Sequence, residues 1–362
     1  MAATPGVGGK TYIQVGKPDA SYGTAVVPTN RDECISFNLN PATATIDDPS
    51  LYTGVSVRGI FPTFTSYKGS LVTRANYNGG GLIRLLASTF GTTTYKGDVD
   101  VAKVQQWTFS EGVTLPSRCI EVCMAGVPDV THGIIYNGCS VESMSFKITA
   151  GSGAGAMGQF TFGLHSGGTP ATGTSPNGAL LTAGLPSPTV LPVLFKHGVL
   201  ASCYEGSGLS AADVRIKSCS FDVKNSLETE RAYIGSAGVD LPVRNGFAEY
   251  TLTIEQEFQS LLAFEIAKNF SVAGAKPVVF FRDSSVIATS TFYPEMEFAL
   301  TTGARIIAYD CSINGYGVPT MSMTWKGAYV TDGGGTSGVH GAGYVRIRMA
   351  TDATITATAS AP

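Results

Sequence analysis

The sequence is short of charged residues and of tryptophan. Only 14% of its 362 residues are charged, against about 25% in a typical soluble protein, and Trp107 and Trp325 are its two tryptophans. So little charge is unusual on the surface of a free monomer, and we therefore expect part of this surface to be buried against other copies of the chain. A secreted β-rich protein has a similar composition, so composition alone leaves that class open.

Long apolar runs and an excess of basic residues are also missing. Residues 1–17 contain no apolar stretch of the signal-peptide type, and no run approaches the roughly 18 apolar residues of a membrane span. We therefore expect a soluble chain made in a cytoplasm. The net charge of −3 argues against sequence-independent DNA binding, which needs a basic face to neutralise phosphates.

The cysteines fit neither a disulfide framework nor a metal site. Their odd number and irregular spacing predict buried free thiols in a reducing compartment. Cys119 and Cys123 have His132 and Cys139 nearby, but three residues separate the first two, whereas structural zinc sites prefer two-residue gaps. We predict no metal and no cofactor. The seven cysteines are Cys34, Cys119, Cys123, Cys139, Cys203, Cys219 and Cys311.

Two glycine-rich motifs look like nucleotide-binding loops but lack the required context. Residues 153–158 form a GxGxxG, yet the residues that follow alternate as a strand instead of opening a helix. Residues 8–11 end like a phosphate-binding loop, but its first glycine is replaced by Thr4. The histidines are scattered and no GxSxG elbow is present. We predict a hairpin turn, a flexible N-terminal arm and a protein that is not an enzyme.

The sequence repeats itself at an offset of about 180 residues. Colinear matches join residues 35–40 to 219–224, 51–54 to 232–235, 70–74 to 250–254, 134–141 to 306–313, and 160–162 to 323–325. An apolar stripe at helical spacing follows the third segment in both copies. The stripes consist of Leu82, Ile83, Leu85, Leu86 and Phe90 in the first copy, and of Leu261, Leu262, Ile266 and Phe270 in the second.

This repeated order predicts a mainly β fold made of two tandem domains. Each domain would be a β-sandwich or barrel with a flanking α-helix and a long β-hairpin. We place the first domain, with its N-terminal arm, at residues 1–164 and the second at residues 191–362. Residues 165–190, rich in Gly, Pro, Ser and Thr, form a linker or loop. The last dozen residues are a polar tail or an edge strand.

Three acidic pairs are the candidate site residues. Paired carboxylates can serve acid–base hydrolysis, but an active site rarely occurs twice in register, whereas a solvated hairpin face does. We therefore predict surface roles for them. The pairs are Asp47 with Asp48, Glu228 with Glu230, and Glu255 with Glu257.

The chain resembles the major tail tube proteins of long-tailed, siphovirus-type bacteriophages. Residues 22–26, followed by a strand with Phe37, look like the family's N-terminal arm and first barrel strand. Residues 219–235 are the most similar stretch, where a strand runs into a long hairpin. A second strand near 249–258 and a flanking helix near 260–269 follow in the family's order. The resemblance is one of pattern and order, present once per copy.

The resemblance implies a structural protein of the virion tail, assembled in the host cytoplasm. Family members form rings of six β-domains that share strands in one inner barrel, and the rings stack into a tube. Two tail-tube-like domains per chain imply a trimeric ring with pseudo-sixfold symmetry. Viral DNA would pass through the lumen without specific binding, repelled by acidic residues. The implied partners are other copies of the chain and tape-measure, tail terminator and distal tail proteins, with no membrane.

Other interpretations remain. The chain could be another virion structural protein, such as a tail terminator, a distal tail ring or a capsid decoration protein. A secreted β-sandwich adhesin or carbohydrate-binding module comes next, although such proteins carry a signal sequence and clusters of aromatic residues. An enzyme is the third alternative. Size separates them, because a tube protein associates with itself.

Overall fold

The computed structural model shows a mainly β protein, as the sequence predicts. It describes residues 12–19, 22–23, 28, 30–47, 60–97, 104–123, 133–151, 153–167, 171–172, 191–200, 215–234, 239–257, 277–284, 287, 292–301, 303–312, 318–329 and 341–350. Across these residues, no helix is long and apolar enough to cross a membrane.

The elements are nineteen described strands and one described α-helix, with short 3-10 turns at Ala154–Ala156 and Phe195–His197. The first half contains β1 (Tyr12–Pro18), β2 (Asn30–Asp47), β3 (Ile60–Arg74), α1 (Gly80–Phe90), β4 (Gly91–Lys96), β5 (Val104–Glu111), β6 (Arg118–Cys123), β7 (Gly133–Thr149), β8 (Gln159–Ser166) and β9 (Ala171–Thr172). The second half contains β10 (Gly198–Leu200), β11 (Ile216–Lys224), β12 (Leu227–Glu228), β13 (Val243–Arg244), β14 (Glu249–Glu257), β15 (Val278–Arg282), β16 (Glu295–Leu300), β17 (Arg305–Ser312), β18 (Thr320–Lys326) and β19 (Gly343–Ala350).

The larger sheet contains a closed barrel. Its strand order is β17-β18-β14-β11-β7-β6-β1-β2-β3-β8, and β8 also pairs with β7, so six strands of the first half close on themselves. Strand β7 is long enough to belong to both parts. Residues 133–139 of β7 pair with β6, and residues 143–149 pair with β11 of the second half. The two halves are therefore joined by main-chain pairing.

The smaller sheet has the order β10-β15-β16-β19-β5-β4 and also combines strands of both halves. It packs on the larger sheet through aromatic side chains. The rings of Phe298 in β16 and Phe146 in β7 stack at 4.2 Å between centroids, and Phe221 in β11 lies 5.4 Å from Phe298. All three side chains are fully buried. This contact makes one core shared by the two halves.

Helix α1 confirms the first predicted helix. Its apolar stripe is buried, and the helix contacts β1, β2 and β7. The carboxylate of Asp32 in β2 lies against the first turn, where a Cβ on Gly81 would stand 2.5 Å from its Oδ2 atom. Burial raises the pKa of Asp32 to about 7, although the backbone amides of Leu82 and Gly81 act in the opposite direction. The helix predicted near residues 260–269 lies outside the described residues.

The two halves repeat the same strand order. The order β2-β3-β8-β7 in the first half corresponds to β11-β14-β18-β17 in the second. Directly opposed core residues form one row in each set. The first row is Phe37, Leu71, Phe162 and Met144. The second row is Phe221, Leu252, Trp325 and Ile306.

These rows test the repeat matches residue by residue. They agree with the matches of residues 36–40 and 160–162, and they shift the match of residues 70–74 by one position. At the start of the first match they make Cys34 the equivalent of Cys219, because Ile35 is the extra residue of a β-bulge. The match of residues 134–141 to 306–313 is wrong, because Ile306 occupies the row position of Met144 and not of Ile134. Both segments begin with two isoleucines and contain a Cys-Ser pair, and this similarity produced the wrong match. The register of a strand is set instead by which of its side chains face the core. Residues 51–54 lie outside the described chain.

Parts of the predicted domain division also fall outside the described residues. Of residues 165–190, the structure describes 165–167 and 171–172, and residues 165–166 continue β8. Residues 8–11, predicted as a flexible arm, and the predicted tail at residues 351–362 lie outside the described residues. The strand with Phe37 is not the first barrel strand that the resemblance implied, because β1 (Tyr12–Pro18) precedes it and pairs between β6 and β2. The GxGxxG at residues 153–158 lies in the turn between β7 and β8, as predicted. Cys119 and Cys139 are buried free thiols.

Candidate functional site

The surface with the most uniform chemistry is one face of the larger sheet. Along β7, β8, β11, β14 and β18, apolar side chains point into the core and small polar side chains alternate with them on the other face. We call this other side the polar face. Its members are Ser143, Ser145, Lys147, Thr149, Thr161, Gly163, Ser218, Ser220, Asp222, Lys224, Glu249, Thr251, Thr253, Glu255, Glu257, Thr320, Ser322, Thr324 and Lys326.

Charges on the polar face are largely paired with neighbouring polar groups. Lys326 Nζ donates to Glu249 Oε1 at 2.8 Å, and this contact lowers the pKa of Glu249. Ser218 Oγ donates to Glu255 Oε2 at 2.9 Å, and the hydroxyls of Thr253 and Thr324 lie 3.1 Å apart. A shallow groove of about 550 Å³, lined by Ser143, Thr161, Asp222 and their neighbours, crosses the face. The face offers hydroxyls and balanced charge, without the aromatic anchors of a ligand pocket.

The structure separates the predicted acidic residues. Glu255 and Glu257 alternate on β14 and both lie on the polar face. Asp47 is exposed at the end of β2, far along the hairpin that β2 forms with β3. Glu228 and Glu230 lie on a different hairpin, between β11 and β14. Asp48 is outside the described residues. The described members of the three pairs therefore do not form one site.

The described parts of the hairpin between β11 and β14, residues 225–234 and 239–248, bend sharply and fold over the first half. We call them the second hairpin. Asn225 is fully buried at the bend, and its Nδ2 donates to the backbone oxygens of Thr89 and Val141 at 2.9 and 3.0 Å. Ser226 follows with a positive φ of 48°. Arg244 Nη2 donates to Asn225 Oδ1 at 2.9 Å, which joins the two arms of the hairpin.

The outer part of the second hairpin covers β3 and β8. Glu230 accepts a hydrogen bond from Lys68 Nζ at 2.9 Å, and Val239 is buried beside Gly167. Beneath this contact, His165 is fully buried. Burial, with Lys68 acting in the same direction and Glu230 against it, lowers the pKa of His165 to about 4. His165 is therefore a neutral side chain under the hairpin at pH 7.

Sequence reasoning missed this covering contact. The alternating strand pattern stops after Lys224. The next two residues, Asn225 and Ser226, are common in turns, and they are the sequence signal that indicates a bend here. Nothing local indicates which surface the hairpin meets, because Thr89 and Val141 are far away in the sequence.

The hairpin of β2 and β3 behaves differently. We call its described outer part, residues 40–47 and 60–66, the first hairpin. Its two strands stay paired from Asn40 to Asp47, with a register shift between Thr43 and Thr45, and most of its residues are exposed on both faces. Ile46, Ile60 and Phe61 are each about 60% exposed. A cluster of exposed apolar side chains on a projecting arm is typical of a protein contact surface.

Other buried polar residues serve the fold. Arg118 donates from Nε to Ser88 Oγ at 2.6 Å and from Nη1 to Gly16 O at 3.2 Å, and Asp19 accepts from Ser117 Oγ at 2.9 Å. Burial raises the pKa of Asp19 to about 6 and lowers that of Arg118 to about 9. Within the described part of the chain, no three His, Cys, Asp or Glu side chains are arranged to hold a metal ion.

Comparison with known proteins gives one family. The family model described as phage tail tube protein matches residues 8–289, which includes the first half and the second hairpin with its flanking strands. A search of curated protein sequences found no match.

Proposed function

The chain belongs to the phage tail tube protein family, and from this premise we propose that it forms rings whose polar face lines a DNA-conducting lumen. Family membership makes the chain a structural component of the phage tail. The finer statement concerns how copies join and which surface faces inward, and it is argued from the strand order.

The observation that carries the proposal is the joint between the two halves. The set β2-β3-β8-β7 meets the set β11-β14-β18-β17 through β7 and β11, so the last strand of one set pairs with the first strand of the next. Such a head-to-tail contact uses two different edges, and it can repeat until a ring closes. Strand β17, the last of the second set, lies at one end of the sheet.

The repeated joint would pair β17 of one copy with β2 of the next. At the internal joint, Phe221 of β11 lies opposite Phe146 of β7. The corresponding residues of the other half are Phe37 of β2 and Tyr309 of β17, so these two would lie opposite each other between copies. Beyond Glu33, β2 pairs with β3 alone among the described strands. Ile35 on β2 and Ile307 on β17 are each the extra residue of a β-bulge at these two edges, and they are 45% and 53% exposed.

The polar face suits the inner wall of such a ring. The smaller sheet covers the opposite, apolar side of the larger sheet, which leaves the polar face for the lumen. Hydroxyl groups and balanced charges give DNA no basic strip to bind, and Glu255 and Glu257 would repel its phosphates. We assign the other predicted acidic residues, Asp47, Asp48 and Glu228, to contacts outside the lumen, including those between rings, whereas Glu230 binds Lys68 of its own chain.

Two sets of strands per chain support a trimeric ring with pseudo-sixfold symmetry. The common strand order of the two halves favours a tandem duplication, and it also supports the division into domains at residues 1–164 and 191–362. Rings stacked into a tube would meet tape-measure, terminator and distal tail proteins along and at the ends of the tail. The tube would assemble in the host cytoplasm before it becomes part of the virion.

Electron microscopy of the concentrated protein tests the proposal. Negatively stained samples should show hollow rings or tubes with three- or sixfold end views. Particles that remain single at high concentration would overturn the ring, and rings that never stack would overturn the tube and favour another ring-forming tail protein.

A variant pair tests the edge contact itself. Ile35→Lys should raise the protein concentration needed for ring formation about tenfold, which corresponds to about 1.4 kcal/mol per contact. Phe247→Lys is the matched control, because Phe247 is also apolar and exposed but lies on the second hairpin. Equal ring formation by both variants would contradict pairing through β2.

A further inference from the structure

The ends of β8 and β18 occupy equivalent places in the two halves but differ in burial. Phe162 in β8 and Trp325 in β18 occupy the same position in the two rows of core residues. Counting three and four residues onward, His165 and Ser166 correspond to Ala328 and Tyr329, which follow β18. His165 and Ser166 are fully buried, whereas Ala328 is exposed and Tyr329 is 62% exposed. The first half thus has a cover at this place that the described second half lacks.

The second hairpin is the cover in the first half. It leaves the sheet from β11 and β14, crosses β7 at Val141, and reaches β3 and β8 at Lys68 and Gly167. It therefore leans over the set of strands that precedes its own set in the sheet.

Among the described strands, no set precedes the first hairpin in its own chain. It leaves from β2 and β3, and a set that preceded them would have to belong to another copy. Its exposed apolar residues, Ile46, Ile60 and Phe61, match the apolar character of the uncovered Tyr329.

We infer that the first hairpin of one copy packs over the end of β18 in the neighbouring copy, with Phe61 near Tyr329. This inference rests on the proposed head-to-tail ring and specifies a second contact within it. The contact has the same position as the one that the second hairpin makes with β3 and β8 inside the chain, but its chemistry differs. The row equivalent of Lys68 is Glu249, which already binds Lys326, so apolar packing takes the place of the Lys68–Glu230 ion pair.

Photo-crosslinking in assembled rings tests the contact. A benzophenone amino acid at position 61 should link to residues 325–329 of another copy, identified by mass spectrometry of the linked peptides. The same group at position 247, on the exposed part of the second hairpin, is the matched control and should not reach these residues. Links from position 61 that stay within one chain, or that reach only other regions, would overturn the inference.

A second variant separates this inference from the proposed function. Phe61→Ser changes an exposed side chain, so the monomer should fold normally, and ring formation should need about tenfold more protein. If rings form with unchanged concentration dependence, the hairpin inference fails while the ring stands. If the unaltered protein forms no rings at all, the proposed function fails first.

Discussion

The two long hairpins of the molecule start from equivalent strands and end in different environments. The first hairpin extends the pairing of β2 with β3 and exposes apolar side chains on both faces. The second hairpin bends at Asn225 and lies on the first half of the same chain. The difference follows from position, because the described strands include a preceding set for the second hairpin and none for the first.

Local sequence also separates the hairpins. At the bend, Asn225 places its amide between two backbone oxygens, and Ser226 adopts a positive φ. At the equivalent place in the first hairpin, Pro41 and Ala42 continue the strand opposite Tyr67 and Ser66. The second hairpin thus has a built-in turn that holds it against its own chain.

The largest expected effect concerns His165 under the second hairpin. Its pKa is lowered from 6.5 to about 4 in the folded protein, so folding disfavours its protonated form. Its stabilising contribution is complete above pH 6.5 and is lost as the pH falls towards 4, by about 3 kcal/mol in total. Lys68 and Glu230 are the charged groups that face it. The free energy of unfolding, measured in denaturant between pH 7 and 4.5, should fall.

The control for this prediction is His165→Gln. This variant should show a weaker pH dependence over the same range, while acidic groups elsewhere contribute equally to both proteins. An identical slope in the two proteins would mean that His165 does not titrate beneath the hairpin.

The next largest effect comes from Asn225→Ala. The change leaves the buried oxygens of Thr89 and Val141 without their donor and removes the acceptor of Arg244 Nη2. We expect the free energy of unfolding to fall by about 2–3 kcal/mol, and hydrogen exchange should quicken in residues 225–248. Asn245→Ala, at an exposed asparagine of the same hairpin, should cost less than about 0.5 kcal/mol. Similar losses in both variants would contradict the role of the buried amide.

How far the sequence predicted these features depends on the range of the contacts. Alternation placed β11, β14 and the polar position of Glu255 correctly, and helical spacing placed α1, because these patterns depend on neighbours in sequence. The pairing of β19 with β5 joins residues more than 200 positions apart, and no local pattern encodes it. The bend at Asn225 separated Glu228 and Glu230 from the polar face because its buried partners come from the first half.

A smaller effect is expected for Ser226→Gly. A left-handed conformation costs a non-glycine residue about 1 kcal/mol, whereas glycine adopts it freely. Ser226 Oγ also donates to Phe247 O at 3.2 Å in an exposed contact, which offsets part of the gain. We expect a net stabilisation of about 0.5 kcal/mol, measured by denaturant unfolding. Clear destabilisation would show that the hydroxyl, and not the backbone, fixes the bend.

The smallest effect is expected for Glu230→Gln, which removes the ion pair between the second hairpin and Lys68. Both side chains are substantially exposed, and solvent-exposed pairs contribute about 0–1 kcal/mol. Glu249→Gln is a matched control, because the exposed pair of Glu249 with Lys326 has a similar length of 2.8 Å. Denaturant unfolding should give nearly equal, small losses. A loss above about 1 kcal/mol for Glu230→Gln alone would mean that the ion pair, and not the buried amide of Asn225, holds the second hairpin down. In that case the second hairpin would be no guide to the first, whose expected contact contains no such pair.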